Sequence, residues 1–259
     1  MTSTIEPTRF DSIATAYADY GTENTPIRRY AETYTVLRHA QPLAGAHVLD
    51  AACSDGFFSR LLHEGGASRV HGLDLSGPMI EVARQKTTSD QISYSVGNVL
   101  NLGQSEGQYD FVMSSFAQSY AANTQELQEI CNQFFAQLKP GGRILTLNDN
   151  PGFLPEQEVE YRKYGKSKKR NPSEGDGSMI DVCWYCKDKT GDPHEIPFRC
   201  HYYSRETLIS AFVQAGFVNV TIHNTEVSPE GLAAFAPGYW DLLQDHSLFC
   251  VITANKPAG

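Results

Sequence analysis

The sequence predicts an α/β fold built on a parallel sheet, and three observations lead there. From Ala46 onward, short apolar runs alternate with helical patterns, which is how strand–helix–strand units read. The first run enters a loop of very small residues, VLDAACSDGFFSRLL from Val48 to Leu62, where a strand turns tightly into a helix. Further on, Leu127, Ile130, Cys131, Phe134, Phe135 and Leu138 recur at helical spacing behind a box of Asn123 and Glu126, a helix N-terminus with its own cap.

Two helical patterns precede the sheet. Ile13, Ala14, Tyr17 and Tyr20 share a face in the first; Thr25 caps the second, with Pro26 at its first position, and it runs through Tyr30, Tyr34 and Leu37 to stop before Pro42. Strands are expected at His47–Leu49, Arg69–Leu73, Ile92–Val96, Tyr109–Met113 and Arg143–Leu147. Helices fill the gaps, one from Phe57 to Gly65-Gly66, one capped by Ser76 with Pro78 in its early turn, and one ended by Pro140-Gly141-Gly142. Residues 151–203 break the rhythm with polar, Gly-rich and aromatic sequence and a hairpin around Thr190-Gly191-Asp192-Pro193. From Ser204 a helix, Gly216 and a strand resume it, and Leu248–Ala254 is the last strand.

The chain of 259 residues suits one sizeable domain with a small insertion. A net charge of −9 argues against a general nucleic-acid binder, because such binding neutralises phosphates with Lys and Arg. The run KSKKR at 166–170 is expected to be a solvated loop beside NPSEGDG. No apolar run approaches the roughly 18 residues of a membrane span, and the start has no basic region followed by an apolar core. A cytoplasmic protein with reduced cysteines and no membrane partner is expected.

The small-residue loop carries two carboxylates, Asp50 and Asp55. Dinucleotide sites use such a loop to hold a pyrophosphate against a helix N-terminus. Here two carboxylates would oppose that anion, at a cost of several kcal/mol for like charges about 5 Å apart in an effective dielectric near 20. The loop suits a positively charged ligand without phosphates, and S-adenosylmethionine is one. Asp74, ending the second strand in HGLDLS, stands where a carboxylate accepts bonds from ribose hydroxyls; capping the next helix is the plainer role, and Ser76 fills that better.

With these residues in hand, the sequence resembles the class I S-adenosylmethionine-dependent methyltransferases over roughly residues 10–255. The resemblance rests on VLDAACSDG, VHGLDLSGPMIEVAR, YSVGNVLNL, YDFVMSSFAQSYA, LKPGGRILTLN and SRETLISAFVQAGF. DSIATAYADY, PIRRYAE, NDNP and VSPEGLAAFAPGYW are similar to the small-molecule, toxoflavin N-methyltransferase type. The resemblance implies a Rossmann-like, seven-stranded, mostly parallel sheet with helices on both faces, its last strand antiparallel. Lid helices and the cofactor half would occupy 1–150, a substrate cover 151–203, and the completing helix and strands 204–259.

It also implies a site. Asp50 and the backbone of Ala52, Cys53, Ser54 and Gly56 would meet the methionine amine; Asp74 would bind the ribose; Leu75 and Met79 would flank the adenine; Asn98 and the Val99 amide would meet its edge. Ser115 would line the cofactor, and Arg28, Tyr17 and Tyr20 would close over its carboxylate. Two departures stand out. A three-glycine loop is reduced to Gly56, and Ala and Ser resist positive φ more than Gly does. Asn98 replaces an acid but keeps an acceptor.

Methyl transfer from a sulfonium asks mainly for alignment and water exclusion. A deprotonated nitrogen needs no strong base, whereas a hydroxyl does; Asp149, His194, His201 and His246 are the candidates, none assigned. Phe116, Tyr120, Asn148, Trp184, Tyr185, Tyr203 and Trp240 are candidates for a flat acceptor's pocket; Trp184, Tyr185, Tyr203 and Trp240 could equally form a structural core, whereas Phe116 and Tyr120, after the fourth strand, are the stronger pocket candidates. Cys183-x-x-Cys186 with His194, Cys200 and His201 invites a zinc reading, but the pattern reads as hairpin strands, in which residues three apart face opposite sides, so no metal is expected. The leading expectation is N-methylation of a planar heteroaromatic molecule. O-methylation of a small phenol or carboxylate, amino-sugar N-methylation and a non-catalytic cofactor-binding protein are the alternatives; a nicotinamide dehydrogenase is opposed by the aspartates.

Overall fold

A computed structural model describes residues 11, 14, 24–103, 108–187 and 190–259. Ten strands carry it: β1 His47–Ala51, β2 Arg69–Asp74, β3 Ile92–Val96, β4 Tyr109–Ser115, β5 Leu138–Asp149, β6 Lys166–Lys169, β7 Met179–Lys187, β8 Pro193–His201, β9 Val218–His223 and β10 Phe249–Asn255. Seven form one sheet in the order β3-β2-β1-β4-β5-β10-β9, and β6-β7-β8 form a second. Strands β1 to β5 pair in parallel, while β10 runs antiparallel to both β5 and β9. This is the seven-stranded architecture the resemblance implies.

Five helices supply the layers: α1 Thr33–Ala40, α2 Phe57–Glu64, α3 Gly77–Lys86, α4 Thr124–Gln137 and α5 Arg205–Gln214. Adjacent residues of the central strands face opposite layers. Val48, Phe111 and Leu145 join a core with Val36, Phe58, Leu62 and Ile80, whereas Leu49, Val112 and Ile144 join one with Ile130, Phe134 and Phe212. Strands buried on both faces explain the near-continuous apolar runs. Two expected caps are present: Ser76 Oγ accepts from the Met79 amide at 3.3 Å, and Asn123 Oδ1 from Gln125 and Glu126 at 3.0 Å each; ahead of Ile27–Glu32, Pro26 rather than Thr25 takes the cap position.

The helix expected from Pro26 begins with a π-helical segment, Ile27–Glu32, before α1. Its buried residues include Arg28 and Glu32, so the inward face carries charge as well as apolar side chains. Of the Ile13–Tyr20 pattern only Ala14 is described, and it is buried; Tyr17 and Tyr20 lie outside the described residues.

The run KSKKR is not a solvated loop. Lys166–Lys169 is β6, paired antiparallel with β7, Lys166 opposite Trp184 and Lys168 opposite Val182. The strand period of two puts Lys166 and Lys168 on one inward face, and they are 2% and 0% exposed. Their partners, Glu32 and Asp149, lie elsewhere in the chain, so the run alone reads as solvated. On β7, Cys183 is half-buried and Cys186 buried, as expected of opposite faces. Among the described residues no helix is long and apolar enough to cross a membrane.

Candidate active site

In the sheet order the chain turns back between β1 and β4, a switch point where a crevice opens at the carboxyl ends of the strands. Asp50 lies at the end of β1, fully buried. Ser59 Oγ donates to its Oδ2 at 2.6 Å, while Oδ1 is buried with no hydrogen-bond partner among the described residues. Burial, offset in part by Ser59 and reinforced by the Asp74 charge, raises its pKa to about 7. A buried carboxylate left half-satisfied fits a cationic donor.

The loop that follows is shaped for a close approach. Ala52, Ser54 and Gly56 all have positive φ, at 63°, 51° and 75°. The two non-glycines adopt the conformation that glycine takes freely, at a cost of roughly 1 kcal/mol each. Gly56 is required a second time, because a Cβ there would sit 2.4 Å from the Tyr94 hydroxyl. The amide of Cys53 donates to the Leu73 carbonyl, that of Ser54 to Asp74 Oδ2 and that of Gly56 to the Cys53 carbonyl. Those three amides are occupied and form no cradle for a diphosphate.

Asp74 accepts from the Ser54 amide at 2.8 Å and from the Ser76 amide at 2.9 Å. It therefore ties the loop to the start of α3 while keeping lone pairs for another donor. Burial raises its pKa, against the Ser76 and Ser54 amides that lower it. Asp55 plays a different part from the one its charge suggests: Lys86 Nζ sits 2.8 Å from it, so Asp50 and Asp74 are the carboxylates that repel an anion. Asp74→Ala should weaken S-adenosylhomocysteine binding about ten- to a hundredfold, the worth of a charge-assisted bond, and titration calorimetry measures it. Unchanged affinity in a folded variant would refute the ribose role.

Met79 is buried beside Ser54, whose Oγ lies 3.5 Å from its sulfur, and Leu75 is half-buried. Asn98, just beyond β3, uses Oδ1 to accept from the Leu100 amide at 2.9 Å, and Val99 is buried. Ser115 ends β4 half-buried, opposite Leu147 of β5. The next residue, Phe116, has φ 61°, which for a bulky side chain marks a strained position of the kind found at ligand sites. Arg28 lies over the rings of Phe57, Phe58 and Trp184 at 5.2–5.5 Å, with its Nε 2.6 Å from Glu32.

The acceptor candidates divide. Phe116 and Trp184 meet across Lys166, whose Nζ is 4.1 Å and 4.5 Å from their ring centres. Tyr120 packs against the same core, and Asn148 is buried with Nδ2 on Thr146 at 2.6 Å. Tyr185 is a single residue on from Trp184, on the opposite face of β7, where its hydroxyl meets Ser167 and Glu158. Tyr203 donates to the Ala121 carbonyl at 2.7 Å. Trp240 stacks on Tyr164 and donates to the Gly231 carbonyl at 2.9 Å.

Of the base candidates, Asp149 is paired with Lys168; burial would raise its pKa, but Lys168 and Lys166 hold it below the ordinary range. His201 is half-buried with its pKa lowered by burial, His194 is half-buried on β8, and His246 is exposed. Lys166 and Lys168 read as solvated from the sequence although they alternate as in a strand, and nothing in the sequence singled out Glu32.

The family described as "Methyltransferase domain" matches residues 48–142. This is the stretch that holds Asp50, the strained loop, Asp74 and Phe116. That stretch matches a methyltransferase domain family, and the fold of the chain is that of solved methyltransferase structures. It is 29% identical over 136 residues to the demethylmenaquinone methyltransferase of Lactococcus lactis, covering 51% of this chain and 53% of that one. The chain thus spans about half the length of that relative. The structure of the CcbJ methyltransferase from Streptomyces caelestis matches with a TM-score of 0.66 at 20% identity, over 97% of this chain and 98% of that one. The CalS10 amino pentose methyltransferase from Micromonospora echinaspora, solved with S-adenosylmethionine bound, matches with a TM-score of 0.55 at 16% identity, over 95% and 91% of the two chains. The buried Asp50 oxygen that has no hydrogen-bond partner among the described residues fits an ammonium group such as that of S-adenosylmethionine.

Proposed function

We propose that the protein methylates a nitrogen of a small, planar heteroaromatic molecule. The buried carboxylate of Asp50, half-satisfied and beside Asp74, carries the cofactor part of this reading. When bound, S-adenosylmethionine supplies an electrophilic methyl group on a sulfonium. Asp50 would pair with its ammonium, Asp74 would accept from its ribose hydroxyls, and Met79 and Leu75 would flank its adenine. Asn98 has Oδ1 engaged with Leu100, which leaves its amide nitrogen to face the adenine edge.

The nitrogen acceptor rests on what the site holds for proton transfer. Asp149 stays ionised and paired with Lys168, and the lowered pKa of His201 leaves it a weak base. A nucleophile that arrives with a free lone pair needs neither. Phe116 and Trp184 supply aromatic surface for a flat molecule.

Titration calorimetry with S-adenosylhomocysteine and with NAD tests the cofactor reading. Binding of the first alone is the expected result, while binding of NAD or of neither would overturn it. A methyl-transfer screen over purines, pteridine-like rings, amino sugars and phenols tests the acceptor, and turnover of phenols alone would replace nitrogen with oxygen as the methylated atom.

A further inference from the structure

We infer that the acceptor binds as an anion, with its negative charge set against Lys166. This deepens the methyltransferase reading above and rests on it. Lys166 and Glu32 have side chains 3% and 0% exposed, and their closest approach is a long 3.4 Å. An ammonium carries three donors. Among the described residues, apart from that single long contact, Lys166 Nζ faces the rings of Phe116 and Trp184. Lys168, on the same face of β6, is in contrast tied to Asp149 and to the Leu248 carbonyl.

Among the described residues this buried group holds three cations, Arg28, Lys166 and Lys168, against two carboxylates, Glu32 and Asp149. Burial lowers the Lys166 pKa to about 8, because the pull of Glu32 does not make up for lost water and the nearby Lys168 charge. A buried cation with unfilled donors is stabilised by an anionic partner.

Two sources could supply that anion, the acceptor or the carboxylate of the cofactor. Arg28 shares the Trp184 ring with Lys166 but also lies over Phe57 and Phe58, the first residues after the cofactor loop. Lys166 instead lies against Phe116, after β4, and projects from a strand of the second sheet. That placement favours the acceptor. The anion's lone pair would form the bond to the methyl carbon as the carbon–sulfur pair stays on sulfur, so one negative and one positive charge vanish together. The neutral product then loses its attraction to Lys166, which favours its release over that of the substrate. Lys166 is thus a specificity residue rather than a base.

Benzoate and its uncharged isostere benzamide serve as probes, titrated by ligand-observed NMR into protein saturated with S-adenosylhomocysteine. The wild type should prefer benzoate by about tenfold, the scale of one charge-assisted contact. Lys166→Met should erase the preference and leave S-adenosylhomocysteine affinity unchanged; Lys166→Arg should keep it. Equal binding of both probes by the wild type, or binding of neither, would overturn the inference, and that arm needs no variant to fold. A tenfold loss of S-adenosylhomocysteine affinity in Lys166→Met, with the benzoate preference kept, would also overturn it and give Lys166 to the cofactor carboxylate. If the wild type fails to bind S-adenosylhomocysteine at all, the methyltransferase reading fails, and the probes titrated into the protein alone still report on Lys166.

Discussion

Lys168→Met should destabilise the fold by about 3–5 kcal/mol, the usual penalty for stranding one partner of a buried ion pair. Lys168 is 0% exposed, and its ammonium joins β6 to the end of β5 through Asp149 and to the Leu248 carbonyl just before β10. Methionine keeps much of the volume but leaves the Asp149 carboxylate buried with Cys200 Sγ at 3.3 Å, the Ser119 side chain and the Lys166 charge in place of its ion-pair partner. Urea unfolding monitored by fluorescence reads the change. Adding Asp149→Asn to Lys168→Met should recover a large part of the loss, because the stranded charge is gone. A single variant that loses under about 1 kcal/mol would mean that water reaches this pair as it does surface ones.

Asp50→Asn should have opposite effects on binding and stability. S-adenosylhomocysteine affinity should fall about a hundredfold, since a charge-assisted bond to the ammonium becomes a neutral one. The unliganded protein should gain stability. The folded-state pKa of Asp50 is raised from 3.8 to about 7 by burial, so the folded state holds its proton more tightly than the unfolded chain does. Its ionisation therefore removes stability as pH climbs from about 4 to about 7, by up to about 4 kcal/mol at the top of that window. The stability gap between Asp50→Asn and wild type should accordingly widen between pH 5 and pH 8, read from thermal midpoints at matched ionic strength. A constant gap would show that Asp50 already has a positive partner in the unliganded protein. Cofactor binding below pH 7 should also release protons, measurable by calorimetry in buffers of different ionisation enthalpy.

The half of the sheet from β1 to β5 was legible because its determinants are local. The apolar runs of β1 to β5, the caps at Ser76 and Asn123 and the small-residue loop each lie within a few residues of what they specify. Charge reasoning singled out Asp50 and Asp74 for the same cause, since each lies at the carboxyl end of a strand whose direction the alternation already set. It overcounted Asp55, whose neutralising partner Lys86 stands at the far end of α3. The loop's missing glycines were legible as a departure, and the backbone angles of Ala52 and Ser54 show that the turn keeps its shape regardless.

The order of residues along the chain was enough to specify an α/β sheet, a tight acidic turn and a carboxylate ending the second strand, because periodicity and cap chemistry act over one or two turns of backbone. Folding alone decided that Lys166 and Lys168 are buried and that Glu32, Arg28, Asp149, Phe116 and Trp184 gather around them. Those residues come from a π-helical turn, the ends of β4 and β5 and the second sheet. The free energy of a lysine depends on whether a carboxylate or water surrounds its ammonium, and that is a property of position in space rather than of neighbours in sequence.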